Sequence, residues 1–444
     1  MNPREVQNAA RPKQLLSLSD GIVLICGMVI GAGIFKAPSI VAANTASNTA
    51  FILAWVFGGL VSLCGALVYA ELSSRHPETG GEYAFLSRGM GRGVAFVFAW
   101  ARMTVIQTGA IAAVAFVFGD YASEMLRLGE NSSAIYAGLA VVALTAINVV
   151  GTVESKTLQK TMQYLLFAGL AVIAIAGLLA SGAPPKPAAA PASGTFGLAM
   201  IFVLLTYGGW NEAAYLGGEV RDARRNMMRI LVGGILAVTL LYLVVNLGYL
   251  AALGLAGMRE SQAVAADVMR VVAGDKGAVV LAVIVCIASL TTMNAAIFTG
   301  ARTNYALGRD FALFKTLGHW RDAGSTPANA LLLQGAIALV LVAASSVTPD
   351  GFTAMVAYTS PVFWTFFLLT ALTLFVFRRQ DRETPAFRVP LYPVIPLAFC
   401  AACVYMLYSS INYVRFAVEF GVAVLAGLAI MLAGIPLYFF ARKR

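Results

Sequence analysis

Two strongly apolar segments of the chain contain glycines and polar side chains that a buried helix would not be expected to carry. The first is VIGAGIF at 29–35, with Gly31 and Gly33. The second is TYGGWNE at 206–212, where two adjacent glycines precede a tryptophan, an asparagine and a glutamate. Glycine destabilises a helix interior by about 1 kcal/mol relative to alanine. The pattern therefore predicts that both helices are interrupted by an unwound segment.

An interrupted helix offers backbone groups to a ligand. The first half ends in carbonyl groups without helical partners, and the second half begins with unpaired N–H groups. The N–H end attracts a carboxylate and the C=O end attracts an ammonium group. Two facing breaks would therefore suit a zwitterion that carries both groups on one carbon. The alternative for paired glycines is close helix packing, which is the interpretation that we favour for Gly58-Gly59 and Gly233-Gly234.

These segments belong to a chain of 444 residues that is 59% hydrophobic and only 12% charged. A soluble domain has about 25% charged residues, whereas this chain repeatedly contains apolar runs long enough to cross a hydrocarbon core of roughly 30 Å. Because the runs are continuous rather than alternating, they predict helices and not a β-barrel. The twelve runs, numbered here as spans 1 to 12, cover residues 21–41, 50–72, 94–118, 134–151, 161–181, 195–217, 228–254, 278–304, 328–347, 353–377, 391–411 and 417–441.

The two interrupted spans occupy corresponding positions in the chain. Span 1 opens one block of five spans and span 6 opens the next, so the two blocks cross the membrane in opposite directions. Interrupted helices at matching places in inverted repeats are typical of a transporter's binding site. The predicted organisation is a cytosolic N-terminal tail at 1–19, a first repeat at 20–181, an external linker at 182–194, a second repeat at 195–378, a cytosolic loop at 379–390, and spans 11 and 12 with a short tail at 391–444.

The net charge of +10 is distributed unevenly over the loops. Membrane proteins keep the loops that are rich in lysine and arginine in the cytosol. We therefore expect a multi-pass protein of the cell membrane with both termini in the cytosol, no cleaved signal peptide and no affinity for nucleic acid. The basic residues of the alternate, cytosolic loops are Arg4, Arg11, Lys13, Arg75, Arg88, Arg92, Arg221, Arg224, Arg225, Arg229, Arg309, Lys315, Arg321, Arg378, Arg379, Arg382, Arg388, Arg442, Lys443 and Arg444.

Four stretches of the sequence resemble the amino acid–polyamine–organocation superfamily, and within it the L-type amino-acid transporters and their bacterial relatives. The stretches are IGAGIF at 30–35, ELSSRHPETGGEYAFL at 71–86, TYGGWNEAAYLGGEVRDARRNM at 206–227 and NAAIFTGARTNYALGRD at 294–310. They occur in order and on the expected spans, so the resemblance runs from about Leu16 to the C-terminus. It implies an all-α membrane fold with ten core helices, arranged as two inverted five-helix repeats, and two further helices.

The resemblance also implies roles for individual residues. The substrate carboxylate would bind backbone N–H groups at the break of span 1, at residues 32–34. The amine would meet carbonyl groups just before that break and in span 6, and the residues that follow the second break would form a wall or gate. The predicted substrate-contacting residues are Val29, Ile30, Gly31, Ala32, Gly33, Ile34, Leu205, Tyr207, Gly208, Trp210 and Asn211.

The chain departs from these relatives at two positions. Leu205 stands where many of them have a bulky aromatic gate, which would loosen occlusion or accommodate a larger side chain. Leu166 stands where many sodium-independent relatives have a lysine in span 5 that takes the place of a cation, and Lys160 lies too near the cytosolic end to substitute. The usual coupling residue is therefore absent.

Three charged residues within or next to the spans are considered for coupling or gating. Arg102 lies about two turns into span 3, where an intramembrane charge suggests a functional site, although snorkelling toward the interface is the alternative. Glu212 and Glu219 are its expected acidic partners. Glu212 lies beside a break, where burial would favour uptake of a proton. Glu219 lies at the cytosolic end of span 6 and could form a gate ion pair.

Polar side chains in other spans have two interpretations. Thr291 and Thr292 lie near the middle of span 8 and could bind sodium between spans 1 and 8. Hydroxyl and amide groups within a membrane more commonly form hydrogen bonds between helices. We assign this second use to Gln107, Asn148 and Asn294.

Together these features predict a secondary active transporter, either a permease or an exchanger, that moves neutral L-amino acids by alternating access. We expect it to be independent of sodium, working by exchange or with a proton carried by Glu212. Alternatives are a polyamine or other organic-cation permease of the same superfamily, a channel, and a membrane-embedded sensor. No phosphate loop, nucleophile triad or metal spacing occurs in the sequence, so we expect no enzyme activity, cofactor or metal. The expected partners are an amino-acid substrate and the lipid bilayer, with no obligatory protein partner.

Overall fold

The computed structural model describes residues 17–76, 81–151, 156–180, 195–213, 223–321, 326–381, 385–416 and 418–442. Over these ranges the chain is built from helices, and its only extended pairing is an isolated bridge between Arg321 and Thr326. The all-α fold class predicted from the continuous apolar runs is therefore confirmed.

The first block of spans follows the predicted order. A short helix, Gly81–Met90, lies between spans 2 and 3, within the charged loop that resembles the superfamily. Span 1 contains a 3₁₀ turn and span 3 contains a π-helical turn, a feature that is frequent at functional sites. The spans are formed by Leu18–Val29, Ala32–Phe35 and Ala37–Ala43 (span 1), Asn48–Arg75 (span 2), Arg92–Ala101, Arg102–Ile106 and Gln107–Met125 (span 3), Ser132–Val150 (span 4) and Lys156–Leu179 (span 5).

The second block and the two last spans are also helical. Spans 7 and 8 are longer than predicted, but each is interrupted by a glycine with positive φ, Gly254 at 64° and Gly274 at 67°. Residues 255–273 therefore form a separate helical connection between the two spans, called here the connecting segment. The helices are Phe196–Thr206 and Trp210–Ala213 (span 6), Ala223–Glu260 (span 7), Val264–Asp310 (span 8), Ala328–Ser345 (span 9), Gly351–Gln380 (span 10), Val394–Phe416 (span 11) and Val418–Arg442 (span 12), with a 3₁₀ segment at Ala312–Gly318.

By length and composition, nine helices in the described part of the chain can cross a membrane. The three predicted runs outside this group are the broken spans 1 and 6 and span 5, whose described apolar part is Tyr164–Leu179. The count of twelve spans, like the division into inverted repeats, therefore stays a prediction.

The paired glycines outside the two breaks allow close helix packing, as predicted. A Cβ at Gly58 would overlap the side chain of Val203 in span 6. A Cβ at Gly234 would lie 2.7 Å from the side chain of Ile25 in span 1. The small residues of spans 2 and 7 therefore bring these helices directly against the two broken spans.

Polar side chains connect the other spans. The Asn148 amide donates to the Asn294 side chain at 2.6 Å and thereby joins spans 4 and 8. Gln107 of span 3 donates to the Ala296 carbonyl of span 8 at 2.8 Å. These hydrogen bonds confirm the predicted structural use of Gln107, Asn148 and Asn294. Amide groups within a membrane need such partners.

Candidate functional site

The predicted break in span 1 is present. The first helix ends at Val29, Gly31 is extended with φ −126° and ψ −167°, and a 3₁₀ turn begins at Ala32. No side chain in the described part of the chain caps this turn by a hydrogen bond. The first N–H groups of a helical turn have no partner within the turn, so the turn does not itself satisfy the N–H groups at its start, from Ala32 onward.

The predicted break in span 6 is present as well. The helix ends at Thr206, residues 207–209 form a turn, and the helix resumes at Trp210. Gly209 has a φ of +106°, which favours glycine. The Leu205 carbonyl accepts a hydrogen bond from the N–H of Gly208 at 3.0 Å, so the first half of this span ends in a closed turn.

The two breaks lie against each other. A Cβ at Gly209 would overlap the carbonyl oxygen of Met28 in span 1. A Cβ at Gly33 would lie 3.3 Å from the hydroxyl oxygen of Thr206 in span 6. The backbone approach that glycine permits is therefore used by the two broken helices themselves, and the residues predicted from separate parts of the sequence share one location.

Around the two breaks, accessible and buried residues alternate in a consistent way. In span 1 the glycines are half-buried while Ile30, Ala32 and Ile34 are buried. In span 6, Leu205, Gly208 and Gly209 are half-buried between buried neighbours. The partly accessible residues at the two breaks are therefore the glycines and Leu205. A site that binds its ligand through backbone groups needs such small residues.

Tyr242 of span 7 bridges the two breaks, a relationship that the sequence analysis missed. Its hydroxyl group lies 3.2 Å from the Val29 carbonyl and 3.1 Å from the Thr206 carbonyl, so it can donate to either of the two helix ends. Tyr249, further along span 7, makes a similar contact with span 1: its hydroxyl group donates to the Ile34 carbonyl at 3.3 Å. Two tyrosines seven residues apart lie on one face of a helix, about two turns apart. This spacing in the sequence could have indicated that the two tyrosines face the same neighbouring span.

The aromatic residues predicted in span 6 pack their side chains against neighbouring spans. Tyr207 is buried and its hydroxyl donates to the Trp55 carbonyl of span 2 at 3.0 Å. Trp210 is also buried and packs its ring 5.3 Å from the rings of Tyr69 and Phe367. Both residues therefore fix the position of the broken helix, and at the break itself they contribute backbone groups.

Arg102 and Asn211 both contact Glu82, which was not among the partners predicted from the sequence. Glu82, in the short helix Gly81–Met90, lies 3.4 Å from the Arg102 guanidinium and accepts from the Asn211 amide at 3.1 Å. Its side chain is only 6% exposed, and that of Arg102 is 19% exposed. The helix between spans 2 and 3 is thereby joined to span 3 and to the second half of span 6. The Glu212 side chain and all of Glu219, the predicted acidic partners, lie outside the described residues.

Span 8 lies beside the break of span 1. A Cβ at Gly31 would be 3.8 Å from the Thr292 methyl group. The hydroxyl groups of Thr291 and Thr292 donate to carbonyls one turn earlier in their own helix, at 2.9 and 3.0 Å. Among the described residues, no group of three His, Cys, Asp or Glu side chains could hold a metal ion. Leu166, at the position of the missing span 5 lysine, is buried.

Comparison with known proteins places this chain in a family. Residues 16–435 match the family model described as amino acid permease. The serine/threonine exchanger SteT of Bacillus subtilis (strain 168) is 26% identical over 440 residues, covering 97% of this chain and 98% of the relative. The b(0,+)-type amino acid transporter 1 of Mus musculus is 30% identical over 409 residues, covering 88% and 82%. The large neutral amino acids transporter small subunit 2 of Homo sapiens is 28% identical over 448 residues, covering 96% and 80%.

These relatives correct one prediction. The expectation of no obligatory protein partner is wrong for this group, because one relative is by its name a small subunit of a transporter. A subunit acts together with another chain, so transporters of this kind are not uniformly single-chain proteins.

Three further predictions agree with the comparisons: the family, the class of protein and the location in a membrane. The matching family model spans nearly the whole chain, the relatives are transporters or exchangers and not enzymes, and the apolar helices are those of a multi-pass membrane protein. The broken spans lie within the matched region. The chain belongs to the amino acid permease family and transports amino acids across a membrane.

Proposed function

We propose that the protein is a secondary active transporter that moves neutral L-amino acids across the plasma membrane by alternating access. The substrate lies between the breaks of spans 1 and 6. The observation that carries this proposal is the close approach of the two breaks, where Gly209 packs against the Met28 carbonyl and Gly33 packs against Thr206.

The backbone of the two breaks provides both kinds of partner that an amino acid needs. The carboxylate binds the N–H groups of residues 32–34, which begin a helical turn and carry its partial positive charge. The ammonium group binds the carbonyls of Val29, Ile30, Leu205 and Gly208. Each carbonyl has two lone pairs, so the bonds already made by Val29 and Leu205 leave one for the substrate.

The composition of the breaks supports a neutral side chain on the substrate. Residues 29–34 and 205–210 contain no ionisable group apart from the tyrosine phenol. A cationic side chain buried here would need a carboxylate partner. The described carboxylates near the two broken spans already have cationic or amide partners: Glu82 contacts Arg102 and Asn211, and Asp120 and Asp350 contact Lys36. A polyamine fits less well, because it has no carboxylate to occupy the N–H end of the site.

Two of the relatives are named for neutral amino acids, one for serine and threonine and one for large neutral amino acids. The SteT name also describes an exchanger. We therefore include exchange in the proposal, with transport independent of sodium. Sodium is the weaker choice because, among the described residues, no carboxylate is hydrogen-bonded to Thr291 or Thr292 to complete a cation site, and pure exchange needs no coupling ion.

The experiment is counterflow in proteoliposomes that contain the purified protein and one unlabelled amino acid. Labelled neutral amino acids, cationic amino acids and polyamines are added outside in turn. Saturable uptake that internal neutral amino acid accelerates is the expected result. Preferential uptake of cationic amino acids or polyamines would overturn the substrate assignment. A conductance that does not saturate would indicate a channel instead of a carrier.

A further inference from the structure

Lys36 lies in the turn just after the break of span 1, and its ammonium group is buried between two carboxylates. Its Nζ atom lies 2.8 Å from Asp120 Oδ2 and 2.8 Å from Asp350 Oδ2. It also donates to the side-chain oxygen of Gln262 at 3.2 Å. The Lys36 side chain is 1% exposed, while those of Asp120 and Asp350 are 17% and 20% exposed. The ammonium group is therefore closed off from solvent, while the two aspartate side chains remain partly accessible.

The two carboxylates are fixed by their own parts of the fold. Asp120, in span 3, accepts a hydrogen bond from the Ser133 hydroxyl at 2.6 Å. Asp350, the residue before span 10, accepts one from the N–H of Thr353 at 2.6 Å. Lys36 belongs to span 1, so its two ion pairs join span 1 to span 3 and to the start of span 10.

Ion pairs of this kind suit a contact that opens and closes. A buried pair gains little over apolar packing, because both charges lose their hydration. Removing one partner while the other stays buried is strongly unfavourable. When the elements separate, however, all three groups of this cluster regain water. Such a cluster therefore stabilises permanent packing little, and it is well suited to a reversible contact.

A second set of contacts holds the same part of span 1. The Tyr121 hydroxyl of span 3 donates to the Phe35 carbonyl at 2.7 Å. Arg259, in the connecting segment, donates to the carbonyls of Ala42 and Thr45 at 2.9 and 2.7 Å. The helix Ala37–Ala43 is thus held at its beginning and at its end by other elements on one side of the break.

We propose that Lys36 is the moving contact of an ion-pair latch with Asp120 and Asp350, which closes the external route to the break of span 1. The inference rests on the proposed function, in which the N–H groups of residues 32–34 bind the substrate carboxylate. Lys36 lies two residues after these groups and is the N-cap of the helix Ala37–Ala43. This side also carries loops 44–47, 126–131 and 346–350, which contain no lysine and only one arginine and are therefore expected outside. An amino acid entering from outside requires the latch to open.

The test measures access to the site from each side of the membrane. Thr292→Cys places a thiol beside the break, because Thr292 faces Gly31. A membrane-impermeant thiol reagent is applied to intact cells and to inside-out vesicles, and the protein without this substitution gives the background from the native cysteines. Lys36→Gln is compared with Arg270→Gln. Among the described residues, Arg270 forms ion pairs with Glu124, Asp267 and Asp275 and none with span 1.

We expect Lys36→Gln to accelerate labelling from outside roughly tenfold, because losing the latch shifts the population toward the outward-open state. Arg270→Gln should label like the parent protein. Asp350→Asn keeps Lys36 paired with Asp120, so it serves if Lys36→Gln does not assemble, and it should accelerate labelling less. Unchanged external labelling in a correctly assembled Lys36→Gln or Asp350→Asn protein would overturn the proposal, as would acceleration only in inside-out vesicles.

The same assay separates this proposal from the proposed function. Excess neutral amino acid should slow the labelling of Thr292→Cys, since substrate would lie beside that residue. If amino acid gives no protection while Lys36→Gln still accelerates external labelling, the substrate site is wrong and the latch stands. If protection occurs and the acceleration does not, the latch is wrong and the site stands.

Discussion

Gly209 in the break of span 6 packs directly against the carbonyl group of Met28 at the break of span 1, so closely that a Cβ at position 209 would overlap the carbonyl oxygen. Gly209 also has a positive φ of 106°. The contact holds the two broken helices together by their backbones. Because both the space and the conformation require glycine, this position is the most sensitive test of the site.

Gly209→Ala should therefore lose amino-acid uptake and lower thermal stability. The backbone strain alone costs about 1–3 kcal/mol, and the overlap with Met28 adds to it. Gly138→Ala is the matched control, since Gly138 lies within a helix and a Cβ there meets nothing within 4 Å. Counterflow and melting temperature in detergent provide the measurements. Equal behaviour of the two variants would show that the contact with Met28 is not needed.

Gly33→Val should nearly abolish substrate binding without preventing membrane insertion. A Cβ at Gly33 lies 3.3 Å from the Thr206 hydroxyl oxygen, so the branched side chain fills the space through which a carboxylate approaches the backbone. Gly93→Val is the control, because its Cβ would lie equally close, 3.3 Å, to the Tyr438 ring but far along the chain from either break. Binding of labelled amino acid to purified protein is measured. Wild-type transport by Gly33→Val would assign the break to helix packing.

Tyr242→Phe should weaken the substrate site while keeping the aromatic packing. It removes the hydroxyl group shared by the Val29 and Thr206 carbonyls, and an unsatisfied buried acceptor costs about 1–3 kcal/mol. We expect a higher KM for uptake and a lower melting temperature. Tyr136→Phe, which removes a solvent-exposed hydrogen bond from the half-buried Tyr136 to the Leu126 carbonyl, should change neither. Identical results for the two variants would contradict the bridging role of Tyr242.

Uptake of a neutral amino acid should proceed at the same rate with and without a sodium gradient. The comparison uses one batch of proteoliposomes in sodium-containing and sodium-free medium, at two values of external pH. A collapse of uptake without sodium in the unmodified protein would refute sodium independence. Glu212→Gln then tests whether Glu212 carries a proton. If that variant keeps full and still pH-dependent uptake, Glu212 has no proton-carrying role and exchange is the remaining mechanism.

The orientation in the membrane is testable with reporters. A reporter fused after Arg444 or inserted near Arg224 should be cytosolic, and one inserted near Pro187 should be external, because basic residues crowd the loops on the first side. Reporter activity on each side of intact cells provides the measurement. An external reporter after Arg444 would contradict the predicted count of twelve spans.

The backbone features of the site could be predicted from the sequence. Both breaks occur where glycines interrupt an apolar run, because helix propensity depends on the local residues and glycine lowers it wherever the run lies. The packing role of Gly58 and Gly234 and the interhelical use of Asn148 follow from equally local arguments. The fold class follows from continuous apolar runs, since lipid leaves the backbone few ways to satisfy its polar groups.

The partners of individual side chains were decided only by the tertiary structure. Consecutive helical residues point about 100° apart, so the direction of a side chain relative to a break depends on the rotation of its helix and on which helix lies beside it. The sequence identified Tyr207 and Trp210 but not that their side chains pack against Trp55 of span 2 and Phe367 of span 10. It contains Tyr242, Glu82 and Lys36 without showing that each joins elements distant in the chain. Those contacts form because folding brings the helices together, and no local pattern encodes which helices become neighbours.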